Sequence, residues 1–118
     1  LYRAWTQEFD LWFAAPGTVV MDAQPGQPWF FVTDYNDQRH PHYGRFLRLI
    51  PARLVEMTWL TGKGGTEGAE TLLTVEFAAE NNGTRVTLTH RGFPHAEAAA
   101  ANEAAWPLVL YQQDERLK

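Results

Sequence analysis

An Asn-Gly pair at positions 82 and 83 separates two stretches in which apolar and polar residues alternate. Before it, in residues 70–79, Leu73, Val75 and Phe77 fall on one face. After it, in residues 84–93, Val86, Leu88 and His90 share one side, and Arg85, Thr87, Thr89 and Arg91 share the other. Period-two alternation puts successive side chains on opposite faces of a strand. Asn-Gly tolerates the positive φ angles of the tight turn whose twist matches paired strands. These residues therefore form an antiparallel hairpin with one apolar face. A lone hairpin is marginal in water, so the rest of the chain must extend it and cover that face.

Extension comes from upstream. Residues 18–23, 29–35, 43–50 and 53–60 read as four more strands, separated by Pro25-Gly26, Asn36-Asp37-Gln38 and Pro51-Ala52. Each separator carries residues suited to a turn. In the fourth strand Val55, Met57 and Trp59 share a face opposite Glu56 and Thr58. In residues 29–35 two sets compete for the inward face, Trp29, Phe31 and Thr33 against Phe30 and Val32. Consecutive strands joined by short turns make an antiparallel meander, since parallel pairing needs long crossovers. A glycine-rich loop, 61–68, precedes the final hairpin and is expected to be mobile.

Cover comes from both ends. Leu1, Trp5, Phe9 and Trp12-Phe13 recur at helical spacing, with a break near Thr6-Gln7, and predict two short helical pieces that Pro16-Gly17 ends. Residues 95–118 are alanine-rich and helical. Pro107 lacks an N–H and its ring clashes with the preceding turn, which predicts a short helical segment before it and a longer helix with Pro107 in its first turn. Trp106, Val109, Leu110 and Leu117 form the stripe that packs on the sheet. The fold class is α+β, with residues 1–118 as one domain.

Composition excludes several function classes. A net charge of −4 without a basic block argues against nucleic acid. No apolar run reaches the roughly 20 residues that span a bilayer, so no membrane partner is expected. The chain has no Cys, which excludes thiol chemistry and points to the cytoplasm, and no Ser, which excludes serine-hydrolase schemes. The segment Gly62 to Gly68 lacks the ending of a phosphate-binding loop. His40-Pro41-His42 places two imidazoles at strand spacing, but no carboxylate follows at ligand spacing in residues 43–50, so surface loop histidines are the preferred reading and no metal is assigned. No cofactor is expected either.

What remains is aromatic. Five Trp, seven Phe and four Tyr are more rings than a small core needs, although core packing accounts for each one singly. Rings plus a few polar groups are the usual makeup of a small-molecule cavity. The candidate lining between sheet and helix is Trp29, Phe31, Thr33, Tyr43, Arg45, Met57, Trp59, Val75, Phe77, Leu88, His90 and Trp106. His90 has two readings: a hydrogen bond near the start of the last helix, which is preferred, or a polar contact to ligand. No catalytic residue is assigned, because no partner for His90 can be named.

Trp5 with Trp12-Phe13, Gly44 leading through Leu49-Ile50-Pro51 to Arg53-Leu54-Val55 and Thr58-Trp59, the run from Thr84 to Phe93, then Trp106 and Leu110 follow an order that resembles the START-like (SRPBCC) superfamily. More narrowly, the chain is similar to the bacterial branch related to the activator of the heat-shock protein ninety ATPase. The resemblance implies a helix-grip fold, in which a curved antiparallel sheet of about six strands wraps a long C-terminal helix with a cavity between them. It also implies one further strand ahead of the first helix. The chain opens on Leu1 in helical pattern, so a preceding segment is expected. Ala105 stands where relatives carry Gly before the helix Trp.

Three functions follow from this: binding of a hydrophobic or aromatic small molecule, a chaperone-activator-like interaction, and a cyclase- or hydrolase-like enzyme. The first is preferred. A chaperone or a second copy of the chain are the candidate protein partners.

Overall fold

The computed structural model describes residues 2–15, 17–35, 38–62, 66–81 and 83–117. A 3-10 turn, Arg3–Trp5, and a single α-helical turn, α1 (Phe9–Trp12), precede the sheet. Six strands follow: β1 (Val20–Met21), β2 (Pro28–Tyr35), β3 (Gln38–Ile50), β4 (Leu54–Trp59), β5 (Thr71–Glu80) and β6 (Gly83–Arg91). A long helix, α2 (Ala96–Arg116), closes the chain. The strands lie in sequence order, every neighbouring pair antiparallel. This is the six-stranded meander and helix-grip arrangement that the alternation and the resemblance imply. Expectations at Leu1, Pro16, Asn36-Asp37, Lys63-Gly64-Gly65, Asn82 and Lys118 fall outside the described residues.

β3 is the backbone of the sheet. Its first half pairs with β2, from Tyr35↔Gln38 to Pro28↔Arg45, and its second half pairs with β4. The register shifts between Phe46 and Arg48, a bulge that bends the strand and curves the sheet. Just before it, Gly44 lets β3 and β4 cross closely. A Cβ there would fall on the Thr58 carbonyl and lie 2.7 Å from Thr58 Oγ1. The hydroxyl accepts the Arg45 N–H at 2.9 Å instead.

Register decides which residues face the helix. Trp29 sits opposite Gly44 and Phe31 opposite His42. Both aromatic rings are buried, while Phe30, which pairs with Tyr43, is 39% exposed. Trp29, Phe31 and Thr33 therefore take the inner face. They meet Val55, Met57, Trp59, Leu73 and Val75 from the neighbouring strands.

α2 differs from expectation at Pro107. The helix runs unbroken from Ala96 to Arg116 with Pro107 inside it. Alanines before the proline and Leu108, Leu110, Gln112 and Gln113 after it keep helical geometry favourable, and Trp106 is pinned against the sheet. Pro107 is exposed, as is Glu103, whose carbonyl it leaves without a helical N–H. His95 caps the helix, its Nδ1 accepting the Ala98 N–H at 3.1 Å and its Nε2 facing Glu67 Oε2 at 2.5 Å. At the other end Gln112 Nε2 donates to the Trp12 carbonyl at 2.7 Å, tying α2 to the end of α1.

Candidate functional site

Most of the space between sheet and helix is full. Trp5, Phe9 and Trp12 from the N-terminal segment are completely buried beneath α2. Phe9 stacks on Phe31 at 4.7 Å, Trp5 lies 5.0 Å from Trp12, and Trp59 bridges Trp29 at 5.0 Å and Trp106 at 5.4 Å. Trp12 Nε1 donates to the Ala4 carbonyl at 2.9 Å, so one of these indoles is also fixed by a polar bond. Offset and tilted rings at these separations pack as a core, not as the wall of an empty chamber.

His42 belongs to this core, which corrects the reading of both histidines as surface loop residues. β3 begins at Gln38, five residues earlier than predicted, so His40 and His42 are strand residues. The inward pleat carries His42 against Phe31 at 5.2 Å, Phe13 at 5.4 Å and Trp59 at 5.4 Å. Its Nδ1 lies 3.0 Å from the His40 carbonyl and donates to it. Burial lowers its pKa to about 4, outweighing that backbone bond. The described residues hold no cluster of three or more His, Cys, Asp or Glu able to bind a metal.

The space left open lies between β6 and α2. A groove of about 450 Å³ is walled on the sheet side by Leu88, Thr89, His90 and Phe93. On the helix side it is walled by Ala99, Glu103, Trp106, Pro107 and Leu110, a stripe with helical spacing. His90 stands at its floor with both ring nitrogens engaged. Trp106 Nε1 can only donate, and it donates to His90 Nδ1 at 3.0 Å. Nε2 therefore carries the ring proton and points at Thr71 Oγ1, 2.6 Å away. The Thr71 hydroxyl gives its own proton to the Trp59 carbonyl and so accepts from His90. The chain from Trp106 through His90 and Thr71 to Trp59 is complete only for neutral histidine. Burial likewise pushes the His90 pKa down to about 4.

The twelve residues predicted to line a cavity thus separate. Leu88, His90 and Trp106 line the groove. Trp29, Phe31, Met57, Trp59, Val75 and Phe77 are buried in the packed core, and Thr33 is half-buried on the inner face. Tyr43 and Arg45 are a correction. They alternate with inward-facing His42 and Gly44, so they stand on the outer face, where Tyr43 is 40% exposed and Arg45 lies 3.4 Å from Glu70. The sequence reading missed Thr89, Phe93, Ala99, Glu103, Pro107 and Leu110 as groove residues. The helical spacing of 99, 103, 106, 107 and 110 was the available signal, but the break expected at Pro107 divided that stripe in two.

This architecture is that of a START-like helix-grip domain. A family model described as "Activator of Hsp90 ATPase homolog 1-like protein" matches residues 1–118, and the chain belongs to that family. Crystal structures share the fold. A Chromobacterium violaceum protein is 22% identical, with 94% of this chain and 82% of that one covered at a TM-score of 0.76. A Rhizobium loti protein is 18% identical, covering 98% and 85%, also at 0.76. One from Rhodobacter sphaeroides is 17% identical, covering 98% and 78%, at 0.72. No curated protein matches the chain. No helix among the described residues is long and apolar enough to cross a membrane.

Proposed function

We propose that this protein binds a small apolar molecule in the groove between β6 and α2. The observation that carries the reading is an open space of about 450 Å³, walled mainly by Leu88, Phe93, Trp106, Pro107 and Leu110, beside a core that is otherwise full of rings. Sites for small ligands are concave, largely apolar and of this size. With both nitrogens of His90 committed, no general base faces the groove from that position, which supports binding over turnover. The test is thermal denaturation with a panel of small apolar compounds, in the parent and in Ala99→Leu, which fills the groove. A ligand at about 100 times its Kd stabilises the folded state by about 2.7 kcal/mol. The expected result is a raised Tm in the parent and none in the variant. A panel that leaves the parent unmoved refutes the reading.

An interaction role is the second reading, in keeping with the family description. It is favoured by a row of apolar residues across the outer sheet face, Val20, Phe30, Tyr43 and Leu60, set side by side by the strand register. Val20 is 67% exposed. Contiguous apolar surface of this kind is typical of contact sites. Loss of chaperone co-purification on Phe30→Lys, with ligand binding intact, is the expected sign of that role. A chaperone that is never captured by the parent rules it out.

A further inference from the structure

We infer that the groove selects organic cations, specifically an amine joined to an aromatic or aliphatic body, over neutral and anionic molecules of the same shape. This rests on the proposed binding site and names its ligand class. The argument is an inventory of donors and acceptors. The side-chain N–H groups at the groove floor are already used, Trp106 Nε1–H by His90 and His90 Nε2–H by Thr71. No Lys or Arg lines the groove. An anion entering it would find no cation and only the Thr89 hydroxyl as a side-chain donor.

Acceptors, in contrast, remain. Glu103 lies on the groove stripe, one turn after Ala99 and one turn before Trp106 and Pro107. No ion pair or side-chain hydrogen bond joins its carboxylate to the described residues. Pro107 adds a second acceptor at the same place. The residue four positions beyond Glu103 is the one whose N–H would take the Glu103 carbonyl in an α-helix, and proline has none. A carboxylate and a backbone carbonyl relieved of its helical donor thus sit together at the lip of an apolar groove. An ammonium group carries three donors and a positive charge, which suits both. The aromatic rings of Phe93 and Trp106, which line the same groove, are available as cation–π partners. The protein's net charge of −4 acts in the same direction.

The test uses three probes of matched shape, phenethylamine, phenethyl alcohol and phenylacetate, titrated calorimetrically into the full chain at neutral pH and low salt. The expected order is amine, alcohol, phenylacetate, with the amine about tenfold tighter than the alcohol, as an exposed ion pair with a cation–π contribution provides. Glu103→Gln is expected to bring the amine-to-alcohol ratio close to one. Pro107→Ala, which restores the helical N–H to the Glu103 carbonyl, is expected to lower the ratio by about half while keeping the carboxylate. Raising the salt lowers it in the parent. Equal binding of amine and alcohol, or a ratio that Glu103→Gln leaves unaltered, overturns the cation preference and leaves the apolar groove standing. Failure of all three probes to bind overturns both.

Discussion

The two ends of the sheet–helix interface carry similar residue types and behave differently. Under the C-terminal half of α2, Trp5, Phe9 and Trp12 wedge between helix and sheet, and the rings of Phe31, Trp59 and His42 close around them. Toward the N-terminal half of α2, none of the described residues is interposed, and Leu88, Phe93 and Ala99 face an open groove. The difference comes from the few helical residues at the start of the chain, not from the sheet or from α2. An aromatic-rich interior is therefore not in itself a sign of a cavity. What decides is whether a further element fills the gap between the layers.

Mutations that empty each region separate them most sharply. Phe31→Ala removes a fully buried ring stacked on Phe9 and is expected to destabilise the fold by about 3–5 kcal/mol. Leu110→Ala, at the half-open groove, is expected to lose less, about 1–2 kcal/mol. Chemical denaturation of both variants checks the contrast, and equal losses would mean that the groove is closed in solution.

Acid tests the same division through its two histidines. Both folded pKa values lie near 4, below the unfolded value of about 6.5. The stability they contribute is complete above pH 6.5 and drains away as pH falls toward 4, because the unfolded chain takes up protons that the folded chain refuses. His42, enclosed by rings, accounts for about 2–3 kcal/mol of that loss, and half-exposed His90 for less. Tm measured from pH 7 to pH 4 should fall, and His42→Phe should flatten the larger part of the slope. A slope that survives intact in His42→Phe places that imidazole in water.

Trp106→Phe sits on the boundary between the regions. It keeps a ring against Trp59 but removes the N–H that fixes His90, leaving Nδ1 without its donor, at an expected loss of about 1–2 kcal/mol. The imidazole should then titrate nearer its ordinary value, which proton NMR of His90 would report. The smallest effect on stability is expected from Ala99→Leu, within about 0.5 kcal/mol, although it abolishes ligand binding.

The fold was legible because it rests on local signals. Alternation in residues 53–60, 70–79 and 84–93 and the turn residues between them specify strand order and facing, and five of the six strands lie within two residues of the predicted bounds, while β3 begins five residues early. The site was only partly legible. Leu88, His90 and Trp106 follow from pleat and helical spacing, but whether a ring lines space or fills it depends on where Trp5, Phe9 and Trp12 land, which no spacing reveals. The inward face of β2, ambiguous in Trp29-Phe30-Phe31-Val32, is resolved by pairing with Gly44 and His42. Tyr43 and Arg45 were misplaced because that register was unknown. Pro107 misled through its own chemistry: the rule that it breaks a helix is local, and the packing of Trp106 overrides it.

The five Trp indoles provide the most direct measurement. Each N–H gives a resolved NMR signal, and four of the rings, Trp5, Trp12, Trp29 and Trp59, belong to the filled region, while Trp106 faces the groove. Titration with an apolar ligand is predicted to move the Trp106 indole signal strongly and to leave those of Trp5, Trp12 and Trp29 in place. A ligand that shifts Trp12 and Trp29 while Trp106 stays fixed would contradict the division between packed core and open groove.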